Sequence, residues 1–550
     1  MNCRSFLSFS IISLTLFSLS TFGQESKSTK NETTENKYYN WHNLDPKKNK
    51  IAGIGTERAY DELLKDKRMT RVIVAVIDAG VDIKHEDLQG KIWVNTGEIP
   101  GNGIDDDHNG FIDDINGWNF LGGSDGRNIN QETLELTRLY KKYSSTYSGV
   151  DKSTLSGSDL AKYQEYEKIR DKYIEKTNKI LQDFQNLQSF SKAYKFSDSL
   201  ASNILGKTNY TLADVKKINP GNNEQLTAVK NFLSSLLKKG SNPKEYRDYL
   251  DYINQKVNYH YNLNFNPRAI VGDDPEVWND KAYGNNDVVG AKPDHGTFCA
   301  GIIAANRHND LGIKGIADSV KIMVIRTVPD GDERDKDIAN AIIYAVNNGA
   351  QILNMSFGKE FSPQKIFVDE ALKFAASKDV LIVHAAGNDA ENNDTIANFP
   401  NYYDLAGTKI MDNWLTVGAS SEKANKKLAA SFSNYGKKEV DLFAPGVRIY
   451  SLKPNNKYEE GDGTSFAAPM VAGAAALIKS AYPSLHASQI KEILLKSSTK
   501  YPKLKVYLPC EGGTKKIKVL FSSLSQTGGV LDVYEALKLA AQYTSITHSN

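Results

Sequence analysis

The sequence predicts an α/β fold: a doubly wound, mostly parallel sheet with helices on both faces, carrying a large all-α insertion. Two features predict the sheet. Continuous β-branched runs such as 71–77 suit strands buried on both faces, and strand-like runs alternate with helical patterns between 320 and 443. A third feature predicts the insertion, because the composition changes to mixed charge with many Tyr and Lys over 128–264.

The N-terminus is typical of an export signal. A short apolar run interrupted by Ser, 6–19, follows Arg4 and ends in small residues, which predicts a signal peptide 1–23 cleaved after Gly23. An uncleaved membrane anchor is the alternative, although the run is short and polar for a span. No later segment is apolar for long enough to cross a bilayer. We therefore expect an exported bacterial protein, periplasmic or secreted.

The N-terminal extension, 24–68, has two parts. Residues 24–49 are rich in Lys, Asn, Thr and Glu, which predicts a disordered or loosely attached segment, and 55–65 predicts a short capped helix. Asp78 follows at the carboxyl end of the first strand, the edge where open α/β sheets place their functional crevice. A turn cap before Gly80 is the alternative role for this carboxylate.

The segment 105–116 has the spacing of a calcium-binding loop, with Gly110 at the position of the sharp turn. The predicted ligands, four by their side chains and one by its carbonyl, are Asp105, Asp107, Asn109, Phe111 and Asp113. The last position of the loop is Asn116 instead of Glu, so either Asp114 or a distant residue completes the shell, or the affinity for calcium is weak. An acidic surface turn without metal is the alternative, although carboxylates this close repel one another without a cation. Calcium is expected to be structural, and no catalytic cofactor is expected.

The insertion, 128–264, is predicted to be helical. Apolar residues at three- and four-residue spacing over 160–187 predict one helix of about 30 residues, with a break where Lys176 and Thr177 interrupt the stripe. Ser158 or Asp159 is expected to cap it, and two further helices are predicted over 224–239 and 243–257. The insertion is either packing decoration or a lid or partner surface over the active crevice.

The α/β domain then comprises 69–127 and 265–545. Sheet character returns at 287–290, and a helix rich in small residues begins at His295. Strands and helices are expected to alternate over 320–325, 337–348, 351–355, 362–378, 380–385, 414–417 and 440–443. Asn388 directly follows one of these strands, which brings its amide to the same edge as Asp78.

A further helix places a hydroxyl at its entrance. Residues 464–477 are mostly small and apolar, which suits a helix buried on nearly every side, and Ser465 lies where the free N–H groups of the helix point. The alternative is that Thr464 or Ser465 only caps the helix. A nucleophilic serine needs an imidazole, a carboxylate that orients the imidazole, and donors for the oxyanion. Asp78, His295 and Asn388 supply these groups.

Five segments of the chain resemble the signature blocks of subtilisin-like serine proteases, peptidase family S8: 76–82, 295–301, 354–358, 385–388 and 463–473. The resemblance covers about 70–127 and 285–545. It implies a subtilisin-like fold and a serine endopeptidase that acts through an acyl-enzyme on Ser465. In that scheme His295 is general base and then acid, Asp78 orients His295, and the Asn388 side chain and the Ser465 N–H form the oxyanion hole.

The same resemblance implies the substrate-binding walls. One wall, which also pairs with the substrate backbone, is Ser356, Phe357 and Gly358, and the opposite wall is Ala385, Ala386 and Gly387. Phe298 departs from the family, which often has His there, and Cys299 resembles the thiol of the proteinase K branch. A catalytically dead scaffold would have lost a triad residue, and none is lost. A peptide ligase that uses the same acyl-enzyme stays open.

Composition limits the partners. A net charge of +2, without a basic cluster interleaved with aromatics, implies no nucleic-acid partner. The resemblance implies protein or peptide substrates, and we expect a monomer. Cys299 and Cys510 are the two cysteines beyond the signal peptide. We favour a free, buried Cys299, and a disulfide bond between the two cysteines is the alternative.

Overall fold

A nine-stranded sheet organises the chain in the computed structural model, which describes residues 39–238, 243–278, 283–510 and 516–547. The predicted signal peptide lies outside these residues. The strands are β1 Val72–Asp78, β2 Gly117–Asn119, β3 Val320–Arg326, β4 Ile352–Met355, β5 Leu381–Ala385, β6 Trp414–Ser420, β7 Leu442–Pro445, β8 Ile449–Lys453, β9 Lys457–Gly461, β10 Thr499–Lys500, β11 Lys505–Tyr507, β12 Lys518–Leu520 and β13 Gly529–Val530.

The order across the large sheet is β10-β13-β7-β6-β5-β4-β1-β3-β2. Its pairs are parallel except β10 with β13, whereas β8–β9 and β11–β12 form separate antiparallel pairs. The longer helices are α1 Glu135–Tyr147, α2 Gly157–Leu205, α3 Leu212–Lys217, α4 Glu224–Lys238, α5 Pro243–Gln255, α6 Asp294–Ala304, α7 Asp335–Asn347, α8 Lys365–Ser377, α9 Thr464–Ala481, α10 Ala487–Ser497 and α11 Val533–Thr547.

Short helical turns lie at Trp41–Asn43, Pro46–Asn49, Thr56–Ala59, Tyr60–Leu64, Glu86–Leu88, Lys152–Thr154, Lys256–His260, Pro267–Ile270 and Phe521–Ser523. Between 320 and 445 the observed ends lie within about three residues of the predicted ones. The agreement follows from the strong period of these segments, since the ends of elements fray and only their interiors are fixed by packing.

Both faces of the sheet are covered by helices, which confirms the predicted α/β class. Along β1, Val74 and Val76 pack into the core that α6 and α9 share, whereas Ala75 and Ile77 pack into the core of α7 and α8. A strand buried on both faces has no polar side, so its sequence is a continuous apolar run. Among the described residues, α9 alone has the length and apolar character of a membrane span, and 83% of it is buried inside the fold.

The N-terminal extension is more ordered than its composition predicts. Trp41, His42 and Asn43 are buried, the Trp41 indole donates to the Arg448 carbonyl at 2.9 Å, and the Asn43 amide donates to the Lys314 carbonyl at 2.8 Å. The prediction of a loose segment is therefore wrong over 41–45, because Trp41 and its neighbours are buried and bonded to the α/β domain.

The sheet character predicted at 287–290 is also wrong. The Asp287 carboxylate accepts hydrogen bonds from the N–H groups of Val289 and Gly290, which closes a turn instead of a strand. Val288 still contributes one backbone contact, since its carbonyl accepts from the Val81 N–H at 3.1 Å.

The insertion is helical as predicted, but α2 is longer than predicted. It has 49 residues and spans about 74 Å at 1.5 Å per residue. No break occurs at Thr177, because its hydroxyl bonds to the Tyr173 carbonyl within the helix. The residue that precedes α2 is Ser156, so Ser158 and Asp159 lie inside the first turn and do not cap it.

The insertion contains three apolar clusters, one of which, Tyr147, Tyr163 and Tyr166, lies at the start of α2. A second cluster lies between the first half of α2 and α1, and it includes Phe361 of the α/β domain. The second half packs with α3 and α4 around Tyr194, Tyr210 and Leu233, which belong to the insertion alone. The insertion is therefore anchored near its start and forms a small core of its own farther along.

Candidate active site

Three chain segments bring Asp78, His295 and Ser465 to the carboxyl edge of the sheet. Asp78 is the last residue of β1, His295 is the second of α6, and Ser465 is the second of α9. Gly296 permits the close approach of α6 to β1: a Cβ there would lie 2.1 Å from the Gly80 carbonyl oxygen and 3.2 Å from the Asp78 Cβ. The glycine after His295 thus brings the imidazole to the carboxylate.

His295 and Asp78 form a direct pair. The Nδ1–H of His295 donates to both Asp78 oxygens, at 2.9 Å each. Asp78 is buried, whereas the His295 side chain is 39% exposed. Burial opposes the charged imidazolium, but the Asp78 carboxylate outweighs it and raises the pKa of His295 above its ordinary value. With the proton held at Nδ1, Nε2 of the neutral ring is the basic nitrogen.

Ser465 directly precedes Phe466, whose ring lies 5.6 Å from the His295 ring, and the Ser465 hydroxyl is bonded elsewhere. It donates to the Ser356 carbonyl at 3.1 Å, and the described residues show no hydrogen bond between it and His295. Neither Ser465 nor Thr464 caps the helix, because the N-cap residue is Gly463, which has no side chain to bond to the first free N–H groups. The capping alternative is therefore wrong.

The Ser465 carbonyl is held by donors from outside α9, because one N–H of the helix is missing. Pro469 has no N–H, so the carbonyl four residues earlier, that of Ser465, has no helical donor. Instead, this carbonyl accepts from the Ser356 hydroxyl at 2.8 Å and from the Cys299 thiol at 3.4 Å. Three segments that are distant in sequence thereby fix the position of one residue.

Asn388 is oriented by the residue before Ser465. Its amide oxygen accepts from both the N–H and the hydroxyl of Thr464, at 2.9 Å each, and the Thr464 hydroxyl in turn accepts from the Gly387 N–H at 3.2 Å. The oxygen is thereby fixed, and in the part of the chain that the structure describes the amide nitrogen has no hydrogen bond. Asn388 is exposed, so its N–H groups are free to bind an oxyanion.

The two predicted substrate walls face one another across Asn398. A Cβ at Gly358 would lie 2.5 Å from the Asn398 Oδ1, and the Asn398 amide donates to the Ala386 carbonyl at 3.1 Å. On the first wall Ser356 is buried and Phe357 half-buried; on the second, Ala385 and Ala386 are buried and Gly387 half-buried. Asn398 was not among the predicted residues, since a lone Asn in a loop carries no sequence signal.

The acidic loop gathers three carboxylates, one of which was not predicted. Oxygens of Asp105, Asp107 and Glu98 lie within 4.8 Å of one another. The Asn109 and Phe111 positions follow in the same turn, where the Asn109 N–H donates to Asp105 at 3.0 Å and the Phe111 N–H to Asn109 at 2.8 Å.

Two other carboxylates of this loop point elsewhere. The Asp113 oxygens accept from the N–H groups of Gly101 and Gly103, at 2.7 and 2.9 Å, so its side chain holds the preceding turn. Asp114 is buried, accepts from Tyr344 and Asn95, and has its pKa raised to about 6 by that burial. Glu98 therefore joins Asp105 and Asp107, and Asp113 does not.

Known proteins share the segments that build this site. A family model described as the subtilase family matches residues 70–510. The chain belongs to the subtilase family. It is accordingly a serine-type endopeptidase, and its substrates are peptides.

Individual subtilases match about a third of this chain. Subtilisin DY of Bacillus licheniformis is 36% identical over 207 residues, covering 37% of this chain and 70% of that protein. Subtilisin BL of Lederbergia lenta is 36% identical over 214 residues, covering 39% and 73%. Thermitase of Thermoactinomyces vulgaris is 37% identical over 187 residues, covering 34% and 61%.

Phe298, which departs from the usual family pattern, and its neighbour Cys299 pack behind the site of this subtilase. Phe298 is buried and stacks on Phe466 with ring centroids 4.0 Å apart, and Phe466 in turn lies 5.6 Å from the His295 ring. Cys299 is buried and no disulfide joins it to Cys510, which confirms the prediction of no bridge between them. Burial raises the pKa of the Cys299 thiol well above its ordinary value.

Proposed function

We propose that this subtilase is an exported endopeptidase that cleaves peptide bonds through an acyl-enzyme on Ser465. The observation that carries the proposal is the bond from Nδ1–H of His295 to Asp78, because it leaves Nε2 as the base beside the serine. The half-exposed His295 and Ser465 and the exposed Asn388 are open to a substrate on the same side of the sheet.

The reaction begins with a rotation of the Ser465 hydroxyl away from the Ser356 carbonyl. Nε2 of His295 takes its proton as the oxygen attacks the scissile carbonyl, and Asp78 stabilises the imidazolium that forms. The developing oxyanion binds the Asn388 amide N–H and the Ser465 N–H, which as the second residue of α9 has no helical acceptor. His295 then protonates the leaving amine, and water releases the acyl group by the reverse proton path.

The substrate lies between the two walls around Asn398. The backbone of Ser356, Phe357 and Gly358 pairs with the residues before the scissile bond, and the side chain next to that bond enters between Gly358 and Ala386. Glycine on the first wall, and alanine and glycine on the second, leave room for this side chain.

Calcium and export complete the proposal. Carboxylate oxygens and a backbone carbonyl are the donors that Ca²⁺ prefers, and Glu98, Asp105, Asp107, Asn109 and Phe111 offer such donors. The fit is good because three carboxylates within 4.8 Å repel one another without a cation. The ion would tie the 98–111 turn together as a structural element. The apolar N-terminal run supports export of the chain to a periplasm or to the medium. The exported chain acts as a monomer.

The test is fluorophosphonate labelling of the purified chain from Gln24 onwards, with and without a calcium chelator, beside Ser465→Ala. We expect the wild-type chain to be labelled, Ser465→Ala to stay unlabelled, and the chelator to reduce labelling. A wild-type chain that stays unlabelled in calcium would contradict an activated serine, and labelling that is unchanged by the chelator would contradict the role of calcium. Export is tested separately, by locating the chain and its new N-terminus after expression with residues 1–23 intact.

A further inference from the structure

The sheet order decides which segments flank a bound peptide. Because β1 lies between β3 and β4, Asp78 stands between the loop after β3, 327–334, and the segment after β4, 356–361. A peptide that reaches the site must run between these two segments. Their separation therefore sets how well an extended substrate is held.

One buried ammonium joins the two segments. Lys359, directly after the Ser356–Gly358 wall, lies 2.8 Å from the Glu333 carbonyl and 2.9 Å from carboxylate oxygens of Glu135 and Asp335. Glu333 belongs to the loop after β3, Asp335 begins α7, and Glu135 begins α1 of the insertion. The three N–H donors of Lys359 are thus matched by three acceptors from two separate parts of the chain, 333–335 and the start of α1.

The insertion reinforces the same link through Arg138, one turn along α1. Its guanidinium donates to both Glu135 oxygens and also to the carbonyls of Asp332 and Glu333, the latter two at 3.1 and 3.4 Å from Nη2. We refer to Glu135, Arg138, Asp335 and Lys359 as the junction. It connects the first helix of the insertion to both segments that flank the cleft.

The junction is buried and its charges are matched. Lys359 and Glu135 are each 5% exposed and Asp335 is 2% exposed. Burial opposes the charge of Lys359, but the Glu135 and Asp335 carboxylates outweigh it and raise the pKa of this ammonium. Burial likewise opposes the charge of Glu135, yet Arg138 and Lys359 lower the pKa of its carboxyl. Lys359 and Glu135 are therefore ionised at neutral pH.

The backbone of Lys359 is fixed as well. Its N–H donates to the Phe399 carbonyl and its carbonyl accepts from the Phe399 N–H, both at 2.9 Å. Phe399 follows Asn398, the residue between the two walls. Phe361, two residues beyond Lys359, packs into the apolar cluster of α1 and α2. The end of the first wall is thus held from the pocket side and from the insertion side.

We propose that Lys359, held by Glu135 of the insertion, positions both segments that flank the cleft, and that the insertion thereby sets the recognition of extended peptides. The inference rests on the proposed function, since it assigns a role to the walls of that site. Lys359 is a positioning residue, because its ammonium acts through the backbone of the flanking segments. The insertion becomes part of the substrate-binding apparatus, through α1, instead of packing decoration.

The test compares two p-nitrophenyl esters with the same residue at the cleaved bond, one of a single acylated amino acid and one of a tetrapeptide. The variants are Lys359→Met and Glu135→Gln, the second of which keeps the shape of the side chain. We expect kcat/KM for the tetrapeptide ester to fall about 10- to 100-fold, mainly through KM, because a displacement of about 1 Å costs up to about 100-fold. The single-residue ester should change by less than about twofold.

Lys365→Met is the matched control. Lys365 is also a buried ammonium, paired with Asp369 within α8, but it does not contact the segments that flank the cleft. We expect it to lower the melting temperature and to leave the ratio of the two esters unchanged. Glu135→Gln keeps the test decisive if Lys359→Met does not fold.

Each remaining outcome is decisive. Equal losses with both esters, or no loss with either, would overturn the inference while the proposed function stands. A wild-type chain that takes the fluorophosphonate label but does not favour the tetrapeptide ester would overturn the inference too. A wild-type chain that neither takes the label nor hydrolyses either ester overturns the proposed function, and this inference with it.

Discussion

The catalytic cleft and the junction both hold charged groups, and they hold them in opposite ways. In the cleft, one carboxylate, Asp78, faces one half-exposed imidazole, His295, and the hydroxyl of Ser465 is bonded to a carbonyl that it can leave. At the junction, Lys359 and Glu135 are buried and each is bonded to several partners.

The difference reflects what each region does. A group that must gain and lose a proton needs a pKa near the working pH and a partner that it can exchange, which the cleft provides. A group that only keeps two segments in place gains from burial and full pairing, because removing one partner of a buried ion pair costs about 3–5 kcal/mol. Substitutions should therefore change rate in the cleft, and geometry or stability at the junction.

The largest expected effect comes from Asp78→Asn. Loss of the carboxylate leaves His295 without its orienting partner, and kcat should fall about 10⁴-fold. The pKa of His295 in the wild-type chain lies above 6.5 because of Asp78, so kcat/KM should rise with pH with a midpoint above 6.5. In the variant only burial remains, and the midpoint should move below about 6.5. A pH profile with a peptide substrate measures both.

Asp82→Asn is the control for this profile, since Asp82 lies four residues along the chain and accepts from the Lys84 and Asn455 N–H groups. An equal shift in both variants would contradict the assignment.

The pair of His295 with Asp78 also decides how the stability of the folded state changes with pH. Because the pKa of His295 is raised on folding, its pair with Asp78 stabilises the folded state below about pH 6.5, and this contribution is lost as the pH rises through the folded pKa.

The next largest effect is expected from Asn388→Ala. Removal of one oxyanion donor, in subtilisin itself, lowers kcat by about 100- to 1,000-fold, and we expect a loss in that range here with little change in KM. Thr464→Val removes the hydroxyl that holds the Asn388 oxygen, so it should lower kcat by a smaller factor.

The double variant of Asn388 and Thr464 tests whether the two act together. If Thr464 works only by orienting Asn388, the double variant is no slower than Asn388→Ala alone. Independent, multiplying losses would show that Thr464 has a separate role. Single-turnover rates with an ester substrate separate these outcomes from changes in deacylation.

These residues also mark how far the sequence could predict the site. Asp78, His295, Ser465 and Asn388 were predicted because each stands at the end of a strongly periodic element, and the fold brings such ends together. Thr464 was given only the alternative role of a cap, and the structure shows that its hydroxyl bonds to Asn388 instead. That contact joins positions 76 residues apart, and no local pattern encodes it.

The same limit applies to Glu98, Asn398 and Lys359. Glu98 lies outside the loop motif and enters the acidic group through the turn that precedes it. Asn398 comes close to Lys359 because the next residue, Phe399, pairs with the backbone of Lys359. Spacing predicted ligands within 105–113, but it could not show that the Asp113 oxygens accept from backbone N–H groups of the preceding turn, and the role of Asp113 as a ligand stays a prediction.

A moderate effect on specificity is expected from Asn398→Ala. Its side chain lies against Gly358 and Ala386, so truncation enlarges the space between the two walls. The ratio of kcat/KM for a large apolar residue over alanine at the cleaved bond should rise about tenfold, the effect of one or two methylene groups in a pocket. A peptide series that varies only this residue measures the ratio, and an unchanged ratio would place the pocket elsewhere.

The smallest effect is expected at Cys299. Its thiol is buried with a raised pKa, so a mercurial should react slowly, because the thiolate is the reactive form. Mercury bound to the Cys299 sulfur replaces the S–H hydrogen, so the hydrogen bond to the Ser465 carbonyl is lost. The mercury also lies beside Asp78, and we expect it to lower the activity partially. Cys299→Ser should resist inhibition, whereas Cys510→Ser should stay as sensitive as the wild-type chain. Full activity after complete modification of Cys299, verified by mass, would show that the thiol does not support the serine backbone.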